Sequence, residues 1–135
     1  MHDIEFVYIY SHMDLQPLLT LTLPRDRTAA SVARRAIADA NLPGDREAHL
    51  AVALLATELI SNAVMHGRGD DVRLEVSNGD GRLRVEVSDD GNGFDPAQRA
   101  EREDPGGWGL AIVEQMADEW GMYEASTHVW FELTV

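Results

Sequence analysis

With 135 residues, 44% of them hydrophobic, the chain can bury the core of one domain, which excludes an intrinsically disordered protein. A net charge of -13, with eleven arginines and no lysine, excludes a dominant basic surface, so neither nucleic acid nor anionic membrane is an expected partner. The missing lysine rules out a P-loop or kinase-strand lysine; the missing cysteines rule out disulfides and thiolate metal sites, in keeping with a cytoplasmic protein.

Residues 1–13 read as an N-terminal extension and residues 14–135 as a single domain. Within the extension, Ile4 to Tyr10 has strand composition, while Ser11-His12-Met13 has the look of a vector-derived scar with Met13 as a start. Leu19, Leu21 and Leu23 alternate up to Pro24 and predict the first strand. Asp26 or Thr28 can cap a helix with Val32, Ala33, Ala36, Ile37 and Ala40 as its apolar stripe and Arg34, Arg35 and Asp39 in water. Asn41 to Gly44 stops that helix and Asp45 caps the next, which runs to Gly67. This central helix carries Leu50, Val52, Leu54, Leu55, Leu59, Ala63 and Val64 and is apolar almost all round, so it should be buried.

Val72, Leu74 and Val76, then Leu83, Val85 and Val87, alternate with polar residues about the turn Asn78-Gly79-Asp80-Gly81, predicting a hairpin with one wet face. Asp89 to Phe94 follows, then a polar loop to Pro105. Gly106-Gly107-Trp108-Gly109 opens a third helix, with Leu110, Val113, Met116, Ala117 and Trp120 as its stripe and Gly121 as its stop. Two strands close the chain, at about Met122–Ala125 and Val129–Val135. Neither a signal peptide nor an apolar run long enough to span a bilayer is expected.

Three segments carry chemistry. Glu58, Asn62 and His66 lie four apart on the central helix and share a face. A buried helix gains nothing from a carboxylate and a carboxamide unless something satisfies them. An Asn oxygen beside phosphate oxygens suits Mg²⁺, and a carboxylate one turn earlier can orient or deprotonate a hydroxyl. The bland alternative is a helix-end Asn and an exposed Glu; His66 before Gly67 reads as a C-terminal cap. In Asp89-x-Gly91-x-Gly93 an aspartate at a strand end can accept from the exocyclic amine of a base, and the glycines let backbone approach a flat ligand. Taken alone, that pattern is commoner as a turn. Gly107-x-Gly109-Leu110 at a helix start offers free N–H groups to an anion, or merely tight packing.

The order of these segments resembles the GHKL ATPase superfamily, the gyrase and histidine-kinase type of ATP domain, over about residues 18–135. Glu58 to Asn62 is similar to its N box, Asp89 to Gly93 to its G1 box, and Gly107 to Leu110 to its G2 box. Glu58-Leu59-x-x-Asn62-Ala63-x-x-His66-Gly67 and Val129-Trp130-Phe131-Glu132-Leu133 most resemble the anti-sigma factor serine/threonine kinases. That subfamily phosphorylates an anti-sigma-factor antagonist and sequesters a sigma factor.

The resemblance implies an α+β two-layer sandwich: a mixed, mostly antiparallel sheet with helices on one face. It implies ATP and Mg²⁺ as cofactors. Asp89 would read adenine, Asn62 would hold Mg²⁺, Gly91 and Gly93 would floor the base pocket, and Gly107, Gly109 and Leu110 would cradle phosphates. Glu58 would be the general base toward a serine or threonine hydroxyl. The expected partners are the antagonist, a sigma factor and a second copy of the chain, for which the uncovered sheet face offers a surface. The chain departs from the family in a short segment between the second and third boxes, Phe94 to Pro105. Arg99 and Arg102 are its cations, and Trp108 stands where the family often has a polar or basic residue. Two alternatives are a nucleotide-binding module acting by sequestration alone and the ATP domain of a histidine kinase. The second fits poorly, because the chain before the central helix is too short for a phosphoacceptor hairpin.

Overall fold

Along β1 (Gln16–Pro24), Leu23 is buried and Leu19 and Leu21 are half-buried, while the residues between them are exposed. The alternation predicted for the first strand is therefore real. These contacts come from a computed structural model that describes residues 15–90, 107–123 and 128–135, with the backbone alone at 107–109.

Pro24 ends the strand, and the Asp26 carboxylate accepts from the Thr28 N–H at 2.8 Å and its hydroxyl at 2.5 Å. That closed turn launches α1 (Ala29–Asp39); Thr28 holds the N-cap position but makes no side-chain cap bond. Ala29, Ala33 and Ile37, an i, i+4 row, face inward. Val32, expected in the stripe, lies on the exposed side instead.

Asp45 caps α2 (Arg46–His66) as predicted, accepting from the Ala48 N–H at 2.9 Å. Val52, Leu55, Ala56, Leu59 and Ile60 are buried against the sheet. The expectation of burial all round fails on the opposite stripe, where Leu50 is 59% and Met65 60% exposed and Leu54 is exposed as well. Composition does not encode which side of a uniformly apolar helix meets the core. The same composition gives α2 the length and apolarity of a membrane-crossing helix, with mean hydropathy 1.5, contrary to the expectation that no such run existed. Packing on the sheet accounts for the buried side of this helix, Val52, Leu55, Ala56, Leu59 and Ile60.

β2 (Asp71–Gly79) and β3 (Arg82–Asp89) form the predicted hairpin. Asp80 and Gly81 have φ of 52° and 74°, the two positive values that suit a two-residue turn to right-handed strand twist. α3 (Gly107–Met116), β4 (Glu119–Tyr123) and β5 (His128–Thr134) complete the described chain. α3 ends before the predicted Trp120, which lies on β4 with Gly121. Gly121 is not a helix stop. A Cβ there would sit 3.0 Å from the Trp130 indole, so the glycine serves close strand-to-ring packing.

The sheet order is β1-β2-β3-β5-β4, and each of its ladders is antiparallel among the described residues. α1 packs on β1, α2 on β2, β3 and β5, and α3 on α2 and β4. The result is the expected α+β two-layer sandwich, its core between α2 and the central strands.

The outward face of the sheet departs from expectation. On β3 and β5 it is buried rather than wet: Arg84 is 2% and Trp130 1% exposed, and Glu86, Ser88 and Glu132 are buried with them. The ladder places Arg84 opposite Glu132 and Glu86 opposite Trp130. Arg84 pairs with Glu132 at 3.2 Å and Glu86 at 3.6 Å, and its guanidinium carbon lies 4.2 Å from the Trp130 ring centre. Tyr123 Oη donates to Glu86 at 2.8 Å. Polar alternation reads as a wet face only while the charges lack partners across the strands.

Candidate nucleotide site

Glu58, Asn62 and His66 run along one side of α2, as the fourfold spacing predicted. Glu58 and His66 are half-buried; Asn62 is buried, 5% exposed. The Asn62 side-chain nitrogen has no hydrogen-bond partner among the described residues. Leaving a buried amide unsatisfied costs about 1–3 kcal/mol, so a polar group aimed inward here marks a place for a ligand. An amide presents oxygen or nitrogen by a simple flip. No group of three His, Cys, Asp or Glu side chains able to hold a metal occurs among the described residues. Mg²⁺ suits such a site, since it takes few protein oxygens and completes its shell with phosphate and water. The residues present therefore fit a Mg²⁺–nucleotide complex.

Asp89 ends β3 and is buried beside the last turn of α2. The Arg68 N–H donates to Asp89 Oδ1 at 3.2 Å. A Cβ at Gly67 would lie 2.8 Å from Asp89 Cγ and Oδ2, so only glycine lets the carboxylate come this close. Gly67, not His66, holds the C-cap position; its N–H returns to the Ala63 carbonyl at 2.8 Å and the chain leaves the helix extended. Next along, the Asp90 N–H donates to the Arg68 carbonyl at 3.2 Å and Arg73 pairs with the Asp90 carboxylate at 2.8 Å. The second of the three predicted segments is thus seated on residues directly following the first.

The third segment opens α3. Gly107 and Gly109 lie in its first turn, where N–H groups lack intrahelical acceptors, and half-buried Leu110 packs against the core. α3 packs on α2, which brings the first and third segments onto neighbouring helices. Gly91 and Gly93 lie outside the described residues, as do Arg99, Arg102 and the extension at 1–13. The sequence reading missed Arg68 because its contribution is a backbone N–H, which no side-chain motif reports. It read Gly67 as the end of a helix and as part of the Glu58 to Gly67 motif, without the close approach to Asp89; a glycine right after a polar helical face was the available signal.

A search of curated proteins returns no match. A family model, the histidine kinase-like ATPase domain, matches residues 19–133, from β1 into β5 and across all three segments. With the two-layer fold and the Asp89 seat beside the α2 terminus, that match shows that the chain belongs to the histidine kinase-like ATPase family, the GHKL type of ATP-binding domain.

Proposed function

We propose that this domain is an ATP-binding anti-sigma factor with protein serine/threonine kinase activity, acting in the cytoplasm. It phosphorylates an anti-sigma-factor antagonist, sequesters a sigma factor and works as a homodimer, with no role for nucleic acid or membrane. The observation that supports this reading best is the buried Asn62, whose side-chain nitrogen has no hydrogen-bond partner among the described residues, one turn from Glu58 on the helix whose end seats Asp89.

In this reading Asp89 accepts a hydrogen bond from the exocyclic amine of adenine, with Gly91 and Gly93 flooring the pocket. Asn62 turns its oxygen to Mg²⁺. Gly107, Gly109 and Leu110 hold the phosphates at the α3 N-terminus. The metal, when bound, neutralises phosphate charge. Glu58 takes the proton of the attacking serine or threonine hydroxyl. The sequestration-only alternative has no use for a carboxylate at Glu58, and its presence favours the enzyme.

Two variants test the reading. Asp89→Asn should abolish ATP binding in titration calorimetry; unchanged affinity refutes the adenine role. Glu58→Gln should bind Mg·ATP normally yet lose phosphotransfer to an antagonist by about 10²–10⁴-fold, the usual worth of a general base. Radiolabel transfer at the wild-type rate would overturn the kinase assignment.

A further inference from the structure

The end of α2 contains an exchange of hydrogen-bond partners. In a continuing helix the Arg68 N–H would return to the Val64 carbonyl, four residues back. It donates to Asp89 instead. The Val64 carbonyl, one of the last four that a helix leaves without an intrahelical donor, accepts from Arg25 Nη1 at 2.7 Å. Arg25 Nε donates to the Gly69 carbonyl at 2.7 Å, and its backbone N–H to the Asp70 carbonyl at 2.8 Å. One guanidinium from the β1–α1 turn therefore clamps both sides of the segment 65–68. A cation at a helix C-terminus is also favoured by the helix dipole.

We propose that Arg25 is a positioning residue of the purine site. By occupying the Val64 carbonyl and pinning Gly69, it stops α2 from winding on through Arg68 and leaves the Arg68 N–H aimed at Asp89. That N–H fixes the orientation of the carboxylate that reads the base. Arg25 belongs to none of the three segments and acts only through residues 64–69. The inference rests on the adenine role assigned to Asp89 above.

The test separates the two claims. Calorimetry compares Mg·ADP with Mg·IDP, whose base lacks the exocyclic amine, for the wild type and for Arg25→Met, Arg25→Lys and Asp89→Asn. The wild type should prefer ADP. Arg25→Met should cut that preference by about tenfold, the scale of one hydrogen bond to a charged group, with IDP affinity unchanged. Arg25→Lys, which keeps a donor and the charge, should recover part of it. Equal weakening toward both nucleotides would mean general destabilisation and would overturn the proposal.

A ligand-free readout stands beside this one. The Arg68 amide proton resonance should shift on Asp89→Asn when Arg25 is present, and should not when Arg25→Met is already in place. An equal shift in both backgrounds overturns the exchange of partners even if Asp89 does read adenine. A wild-type ADP preference in Asp89→Asn overturns the base-reading role, and the proposal with it.

Discussion

Asp118 shows how much one backbone donor can do to a carboxylate. The Thr134 N–H donates to Asp118 Oδ2 at 2.6 Å and holds its carboxyl below the usual range, against a small opposing effect of burial. A carboxyl whose pKa is depressed by folding contributes stability above its unfolded pKa and loses it as pH falls through the folded value. Asp118→Asn should therefore lower stability at pH 7, by less than about 1 kcal/mol for so exposed a group. In acid, once the pH has fallen through the lowered folded pKa, the variant and wild type should converge, as the wild-type carboxyl takes up its proton. Urea midpoints at the two pH values check this; an equal gap at both would show that the ion is not what Thr134 recognises. At this scale the sequence is legible where a side chain acts through its own charge or amide. Asp89 and Asn62 were both singled out from residue type and spacing, and both are buried. Arg68 and Thr134 act through main-chain N–H groups, Arg25 on main-chain carbonyls, and none of these bonds could be read before the fold existed.

Elements were legible where chain geometry demands a residue type. The β2–β3 turn is the clearest, since two successive positive φ values call for Asp or Asn followed by Gly. At Gly81, φ is +74° and none of the described residues lies within 4 Å of where a Cβ would sit. Gly81→Ala should then cost only backbone strain, about 1 kcal/mol, with an unchanged denaturant slope. Gly69 has a similar φ of +85°, but a Cβ there would lie 2.6 Å from Asp90 Cβ. Gly69→Ala should cost clearly more and also disturb the Arg73–Asp90 pair. Equal losses at the two sites, measured by urea unfolding, would mean that strain alone decides. Elements were misread where apolar periodicity ran past a boundary. Trp120 continues the spacing of α3, yet it belongs to β4, because the ladder pairs it with Phe131. Leu50 and Leu54 fit a buried helix, yet the sheet covers only the opposite side of α2.

At the scale of the whole molecule, the separate elements followed from helix and strand periods, while the two-layer order was what the resemblance to the GHKL superfamily implied. The state of the second sheet face did not follow. Arg84, Glu86 and Glu132 look like residues of a solvated face until the β3–β5 register sets Arg84 against Glu132. This buried, charged surface is also unlike the uncovered face first expected to serve a dimer. A buried charge is tolerable only while paired, and removing one partner leaves the other without compensation. Arg84→Met should therefore destabilise the domain by about 3–5 kcal/mol, since it takes from Glu132 and Glu86 the buried cation they share. With Glu132 gone, Arg84 keeps a partner in Glu86 at 3.6 Å, so Glu132→Leu should cost less than Arg84→Met. The double variant should be more stable than the sum of the two losses predicts, by about 1–3 kcal/mol of coupling. Denaturant unfolding of the four proteins in this cycle measures that quantity. Additive losses would mean that the ion pair holds no net energy and that burial of Trp130 alone organises the face. A small loss for Arg84→Met would mean that water reaches the carboxylates once the guanidinium is gone.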